Sequence, residues 1–359
     1  MNAHSSRRRP AEQEDGTELF SGTARDLPAG RHQFHKERLM AQIQQERHDR
    51  HVPAKPRRGR LTRPAVLLPA LAATLAGTVV AVSALHGREQ TGDGVGTGPV
   101  LTTPVGAAST RGVPQLLDRI SLAAAGTGHP DLKPGQYVYI ESQTAETFVR
   151  TVGDESSLAS HELHRRQVWQ SADGTEGWLI DPAVNDSPEG ETLSLPDEQG
   201  NTPKATLNAP SYDYLAKLTT DPDQLLATIY KETAGMGNSP DQEAFTTIGD
   251  LLGESYPPAG LYPALFKAAA KIPGVVVVND AVDAVGRHGV AVARLDETSG
   301  QREEWIFDRK THVFLGERTV QVKRVSGEEP VIEPGTVMYT SAVLRRAIVD
   351  GLRQTPSDG

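Results

Sequence analysis

The chain has 359 residues, with 37 Lys+Arg against 46 Asp+Glu and no cysteine. Without cysteine there can be no disulfide, thiolate zinc site, iron–sulfur cluster, cysteine nucleophile or lipid-modified N-terminal cysteine. Charge is unevenly spread: residues 1–63 hold 14 Lys+Arg against 8 Asp+Glu and the rest is strongly acidic, so the two parts are expected in different surroundings.

The first 63 residues are polar and Arg-rich and predict a mostly disordered segment. One stretch stands out, Arg31 to Arg50 (RHQFHKERLMAQIQQERHDR), which lacks Gly and Pro. Its sizeable apolar side chains are Phe34, Leu39, Met40 and Ile43, and the last three fall on a narrow stripe of a helix. A helix of that length is marginal alone. It reads either as a solvated, fluctuating helix or as a segment that folds against a cytoplasmic partner, with those four residues as the binding face.

Pro64 to Leu85 (PAVLLPALAATLAGTVVAVSAL) carries no charge over 22 residues. As a helix it would be about 33 Å long, which matches a hydrocarbon core of about 30 Å. Lys55, Arg57, Arg58, Arg60 and Arg63 precede it with no acid between them, and the positive-inside rule then puts residues 1–63 in the cytoplasm and the remainder outside. A signal peptide cleaved near Val82-Ser83-Ala84 is the competing reading; the long charged region before the span and the length of the apolar run favour a retained anchor.

Residues 86–112, rich in Gly, Thr and Pro, read as a flexible stalk, and residues 113–350 as an extracytoplasmic domain followed by a flexible tail over 351–359. Within the domain a helix is expected over Val113–Ala125, then strands over Gln136–Ser142 and Glu146–Val152. The strongest hairpin signal is His164–Gln170, the turn Ala172-Asp173-Gly174-Thr175, and Gly177–Asp181. Residues 182–210 read as a polar loop. Helices are expected from Asp221-Pro222 to Tyr230, over Asp241–Leu252 and over Ala259–Lys271. Strands follow over Val275–Val278, Val282–Val285, Gly289–Asp296, Arg302–Asp308 and Val313–Arg324, while Met338–Val349 is apolar but of open type. Helix, strands, helices and strands without βαβ alternation predict an α+β domain with an antiparallel sheet.

No catalytic signature emerges. His161-Glu162-Leu163-His164 spaces its histidines three apart before a strand, not four apart on a helix, and reads as surface histidines. Gly92-Asp93-Gly94-Val95-Gly96 has no strand before it and reads as linker, there is no G-x-S-x-G elbow, and no cofactor is expected. The basic run 55–63 is explained by topology and by attraction to anionic lipid, so the bilayer is an expected partner and nucleic acid is not. Tyr137, Tyr139, Trp169, Trp178, Trp305 and Phe307 recur in the predicted strands, chiefly as core, with an apolar ligand groove as the second reading.

Several short motifs resemble a family of actinobacterial single-pass membrane proteins often encoded beside extracytoplasmic-function sigma factors. They are Leu27-Pro28-Ala29-Gly30-Arg31 with Lys36-Glu37-Arg38-Leu39-Met40, Leu218-Thr219-Thr220-Asp221-Pro222, Ile272-Pro273-Gly274-Val275, Gly286-Arg287-His288-Gly289-Val290-Ala291, and Asp308 through Leu315-Gly316-Glu317-Arg318. The resemblance implies neither an established activity nor a catalytic residue. In order of elements the outer part is also similar to lipoprotein-carrier and sigma-regulator periplasmic domains, which implies a curved, half-barrel-like sheet with packed helices after the single transmembrane helix. Zinc-containing anti-sigma domains use a His and two Cys, and the lack of Cys excludes that version here. Two functions follow as expectations: a sensing or regulatory membrane protein whose cytoplasmic segment engages a regulator such as a sigma factor, or an envelope module that binds a lipid or peptide without signalling. An enzyme ranks last.

Overall fold

A computed structural model describes residues 95–126, 131–152, 155–185, 187–193, 204–324 and 331–357. The expected cytoplasmic segment, with Phe34, Leu39, Met40 and Ile43, and the apolar span 64–85 lie outside the described residues. Among the described residues no helix is long and apolar enough to cross a membrane.

In chain order the elements are β1 (Thr97–Gly98), β2 (Ala108–Ser109), α1 (Val113–Gly126), β3 (Tyr137–Val152), β4 (Glu155–His161), β5 (His164–Ser171), β6 (Gly177–Ile180) and β7 (Glu191–Thr192). Then come α2 (Tyr212–Leu215), α3 (Pro222–Glu232), α4 (Pro240–Glu254), α5 (Leu261–Ala269), β8 (Val275–Val282), β9 (His288–Asp296), β10 (Gln301–Asp308), β11 (Phe314–Gln321) and β12 (Val337–Val349). The domain is α+β: one sheet in the order β2-β8-β9-β10-β11-β12-β3-β5-β6-β7, with β4 on the far end of β3 and β1 on β4. The paired strands run antiparallel throughout.

Local chemistry accounts for the boundaries. Asp221 caps α3, its Oδ1 accepting from the amides of Asp223 and Gln224 at 3.1 and 2.9 Å, with Pro222 at the first helical position. Ser239 and Pro240 open α4 in the same way. In the hairpin between β5 and β6, Asp173 gathers the Ser171 hydroxyl and the Thr175 amide and hydroxyl, and Gly174 takes the left-handed φ of 76°.

The helices cover one side of β8–β11. Leu117, Ile120, Leu225, Ile229, Phe245, Ile248, Leu265 and Phe266 pack against Val277, Val292, Trp305 and Phe307 in the main core. Helix α4 comes closest: Phe245 stacks on Trp305 with ring centroids 3.8 Å apart and 7° between planes. Only glycine fits at position 249, where a Cβ would lie 2.4 Å from the Trp305 indole nitrogen. Buried Glu303 joins the two elements, accepting from Thr246 Oγ1 at 2.7 Å, Gln242 Nε2 at 3.3 Å and Trp305 Nε1 at 3.0 Å. Its charge is thus matched by hydrogen bonds that fix the helix in register with the sheet.

Residues 95–109, which read as stalk, are laid against the sheet. The Glu162 amide donates to Gly96 O at 2.8 Å, Leu101 O accepts from the Val337 amide at 2.8 Å, and the Thr103 amide donates to Gly335 O at 2.8 Å. Beyond them β2 extends the edge at β8. Beneath this strap, on the side away from the helices, lies a buried triad: Glu304 holds Arg302 Nε at 2.8 Å and Arg318 Nε at 2.8 Å. One further nitrogen of each guanidinium reaches into the strap, Arg302 Nη1 to Gly106 O at 3.0 Å and Arg318 Nη1 to Thr103 Oγ1 at 3.2 Å. A stretch with no large side chains except Val and Leu is therefore held by backbone pairing and by two buried cations.

This arrangement makes a specific prediction. Glu304→Gln leaves two buried guanidinium groups facing each other and should cost about 3–5 kcal/mol, whereas replacing Arg302, Glu304 and Arg318 together by Met, Leu and Met should be nearly neutral. Urea denaturation of both variants checks this; equal losses would mean that the strap tie, and not charge balance, sets the cost.

Candidate functional site

The antiparallel register lines up one residue from each of seven strands on the helix-facing side: Val277, Val292, Trp305, Glu317, Ser341, Thr144 and His164. Directly paired residues share a face, so this row is continuous. Its chemistry changes between β10 and β11. The first three residues are the apolar floor under the helices, and the last four are polar. The row ends on Asp181, just past β6, whose carboxylate lies 3.1 Å from His164 Nε2 and 3.4 Å from Arg166 Nε.

A parallel row two residues along runs Arg294, Glu303, Thr319, Tyr339 and Glu146. Ser142 and Arg166, paired across β3 and β5, flank the first row on its other side. Glu317, Ser341, Thr144 and Asp181 are buried, and water reaches the stretch only at its margin. Glu146, Arg166 and Tyr339 keep part of their surface in water, whereas Val292 and Trp305 keep none. Helix α4 ends above it: Glu317 Oε1 would stand 3.7 Å from a Cβ on Gly253. Arg346 donates to Leu252 O and, at 3.0 Å, to the Tyr262 hydroxyl, placing a cation against the last carbonyls of α4.

His164 shows what the cluster can and cannot do. Its Nδ1 faces Glu162 O at 2.9 Å, and its Nε2 faces both Thr144 Oγ1 and Asp181 at 3.1 Å. In a nucleophilic relay the hydroxyl and the carboxylate sit on opposite ring nitrogens. Here they share one, so Thr144 is not set up as a nucleophile. Burial of Asp181 pushes its pKa up, but the hydrogen bond from His164, the Arg166 and His164 charges and the Ala183 amide outweigh that and hold it below the usual range. The carboxylate is fully buried and also closes the turn after β6 by accepting from the Ala183 amide at 3.0 Å. The cluster is a set of internally paired groups that is not arranged as a nucleophilic relay.

Some expected residues land elsewhere. His164 is largely buried in this ion pair rather than on the surface, because the strand pairing of Thr144 with His164 turns its ring to Asp181. His161 lies against the Phe148 ring at 4.6 Å. Nor do the strand aromatics line one groove: Trp305 and Phe307 face the helices, while Tyr137, Tyr139, Trp169 and Trp178 form a separate cluster on the opposite side. Nothing local singles out Thr144, Asp181, Glu317 or Ser341 as site residues. The one local signal was the alternation of His164 and Arg166 at the head of a strand, which puts both on one face.

Because the pKa of Asp181 is depressed, the stability it contributes is present above about pH 4 and is lost as pH falls through the folded-state value. Asp181→Asn leaves the Arg166 guanidinium without its buried carboxylate and should cost about 3 kcal/mol at pH 7. Urea denaturation at pH 7 and pH 3 should show the gap from the unaltered protein narrowing at the lower pH. A gap that does not change with pH would contradict the assignment. In comparison with known proteins, no family model and no curated protein matches the chain.

Proposed function

We propose that the chain is a membrane-anchored envelope protein with a sensing or regulatory role. Its apolar segment 64–85 spans the bilayer, and its segment 31–50 engages a cytoplasmic regulator such as a sigma factor through Phe34, Leu39, Met40 and Ile43. The observation that carries this reading is the division of the helix-facing side of the sheet. Under the helices it is apolar, and beyond them it carries a strip of paired polar groups, Glu317, Ser341, Thr144 and Asp181 buried, with Glu146, Arg166, Tyr339 and His164 reaching water at its margin. A half-barrel-like curvature of the sheet would make that strip concave, as in the domains whose order of elements it resembles. A polar solute or a peptide held there is the natural input, and the positive-inside flank of the span gives the output its side.

The second reading is an extracytoplasmic binding module without signalling. Its lipid version is disfavoured by the lining: the part-exposed Glu146, Arg166, Tyr339 and His164 would lose water to an acyl chain without gaining a hydrogen bond. The peptide version keeps its support, since those groups can pair with backbone amides and carbonyls. Neither reading is catalytic, and neither calls for a metal or a cofactor.

Affinity capture with the full chain from its own membranes separates the two. The signalling reading predicts a cytoplasmic regulator in the captured material. Leu39→Asp with Ile43→Asp should weaken its capture about a thousandfold, since two apolar side chains of about 1.5–3 kcal/mol each are lost and two carboxylates are buried. If no cytoplasmic protein is held and the double variant behaves normally in cells, segment 31–50 is part of an anchor only.

A further inference from the structure

The aromatic cluster on the side of the sheet away from the helices has an unusual cover. Tyr139 and Trp169 are 0 % and 1 % exposed and are joined there by Val349, Tyr137, Trp178, Ile180 and Ala347. What closes this side is the segment after β12, expected as a flexible tail. It turns back at Gly351, whose carbonyl accepts from the Gln354 amide at 3.1 Å, with Arg353 at a left-handed φ of 65°. It then lies against the sheet. Trp169 Nε1 donates to Gln354 O at 2.6 Å, and Arg345 Nη1 donates to Pro356 O at 3.1 Å.

These contacts are those of a bound peptide rather than of a folded core. Both donors come from the sheet and both acceptors are main-chain carbonyls two residues apart, a spacing that suits extended or polyproline-like chain and is indifferent to side chains. Pro356 biases Thr355 to that same conformation. The segment puts little of itself inside: Leu352, Arg353, Gln354 and Thr355 are exposed. Its side-chain ties are superficial, Arg353 to Glu189 at 2.7 Å and Arg353 over the Trp178 ring at 4.8 Å. None of its residues belongs to the main core under the helices, so it can leave without opening that core. Behind it remain the Tyr139 and Trp169 rings, tilted 44° to each other, an indole N–H, the Arg345 guanidinium, and Glu141, which accepts from Tyr139 OH at 2.6 Å and Arg165 Nε at 2.8 Å.

We infer that this patch is a docking surface for an extended, proline-containing peptide segment of a partner protein, and that residues 351–357 occupy it as a built-in pseudo-ligand. The partner must displace a tethered competitor whose effective concentration is on the order of millimolar, so the tail sets a threshold for binding. This inference does not depend on the polar floor or on the cytoplasmic segment.

The test uses the full chain, a variant ending at Gly351, and a fluorescein-labelled peptide of sequence LRQTPSDG, with binding read by anisotropy. The shortened variant should bind the peptide at least about tenfold more tightly than the full chain. Trp169→Phe, which keeps an aromatic ring but removes the donor, and Arg345→Ala should each weaken that binding roughly fivefold. If the shortened variant fails to fold, the intact chain decides: unlabelled LQQTPSDG, which trypsin does not cut, at several millimolar should speed tryptic cleavage after Arg353 several-fold by keeping the tail off the sheet. A folded shortened variant that ignores the peptide, or takes up oleate instead, would overturn the inference. So would self-association without peptide uptake, or cleavage after Arg353 that is unchanged by peptide.

Discussion

The domain depends on one constraint above others: the antiparallel register that sets Val277, Val292, Trp305, Glu317, Ser341, Thr144 and His164 side by side. A one-residue slip at any of these pairings would turn a strand over, sending valines and Trp305 outward and Glu304 or Arg318 beneath the helices. Both sides of β8–β11 penalise such a slip. On the helix side Phe245 and Gly249 admit only the Trp305 ring, and on the other side Glu304 holds both arginines under the strap. With no disulfide available, burial on both sides supplies the rigidity that a covalent bond would otherwise give.

That rigidity frees the other half of the sheet for different uses of its two sides. Toward the helices, the row continues as hydroxyls and charges tied to Asp181. Away from them, β3, β5 and β6 present aromatic rings to residues 351–357. In both places the polar groups that face the chain's own backbone do so from the sheet, so each surface is held in shape by the fold itself.

Much of the architecture is legible locally. The Asp221-Pro222 cap, the Asp173-Gly174 turn and the apolar face of Val113–Gly126 specify their elements with short-range chemistry, and the helix–strands–helices–strands order gives the α+β class. Where the local signal fails, the cause is visible. Gln136–Ser142 and Glu146–Val152 form one strand, because Gln143, Thr144 and Ala145 pair with β12 on one side and Gln143 and Thr144 with β5 on the other. Met338–Val349 resists assignment because the irregularity between Val343 and Arg345 shifts its alternation, putting Val343 and Arg346 on one side and Arg345 on the other. Strand β4, Glu155–His161, is too polar to announce itself and is defined by its pairing with β3. The strap reads as linker because backbone pairing leaves no mark in composition. Apart from the alternation of His164 and Arg166, the polar row leaves no local mark, since its residues come from strands far apart in the chain.

The central claim is that the apolar half of this row holds the helices and the polar half is kept for binding. Two paired variants in urea denaturation test it most directly. Val277→Ala with Val292→Ala should cost about 4 kcal/mol, from two buried methyls at each site and the space they leave. Thr144→Val with Ser341→Ala removes two hydroxyls at nearly constant volume and should change stability by less than about 1 kcal/mol. A polar pair that costs as much as the apolar pair would show that the polar floor is core, and would contradict the account.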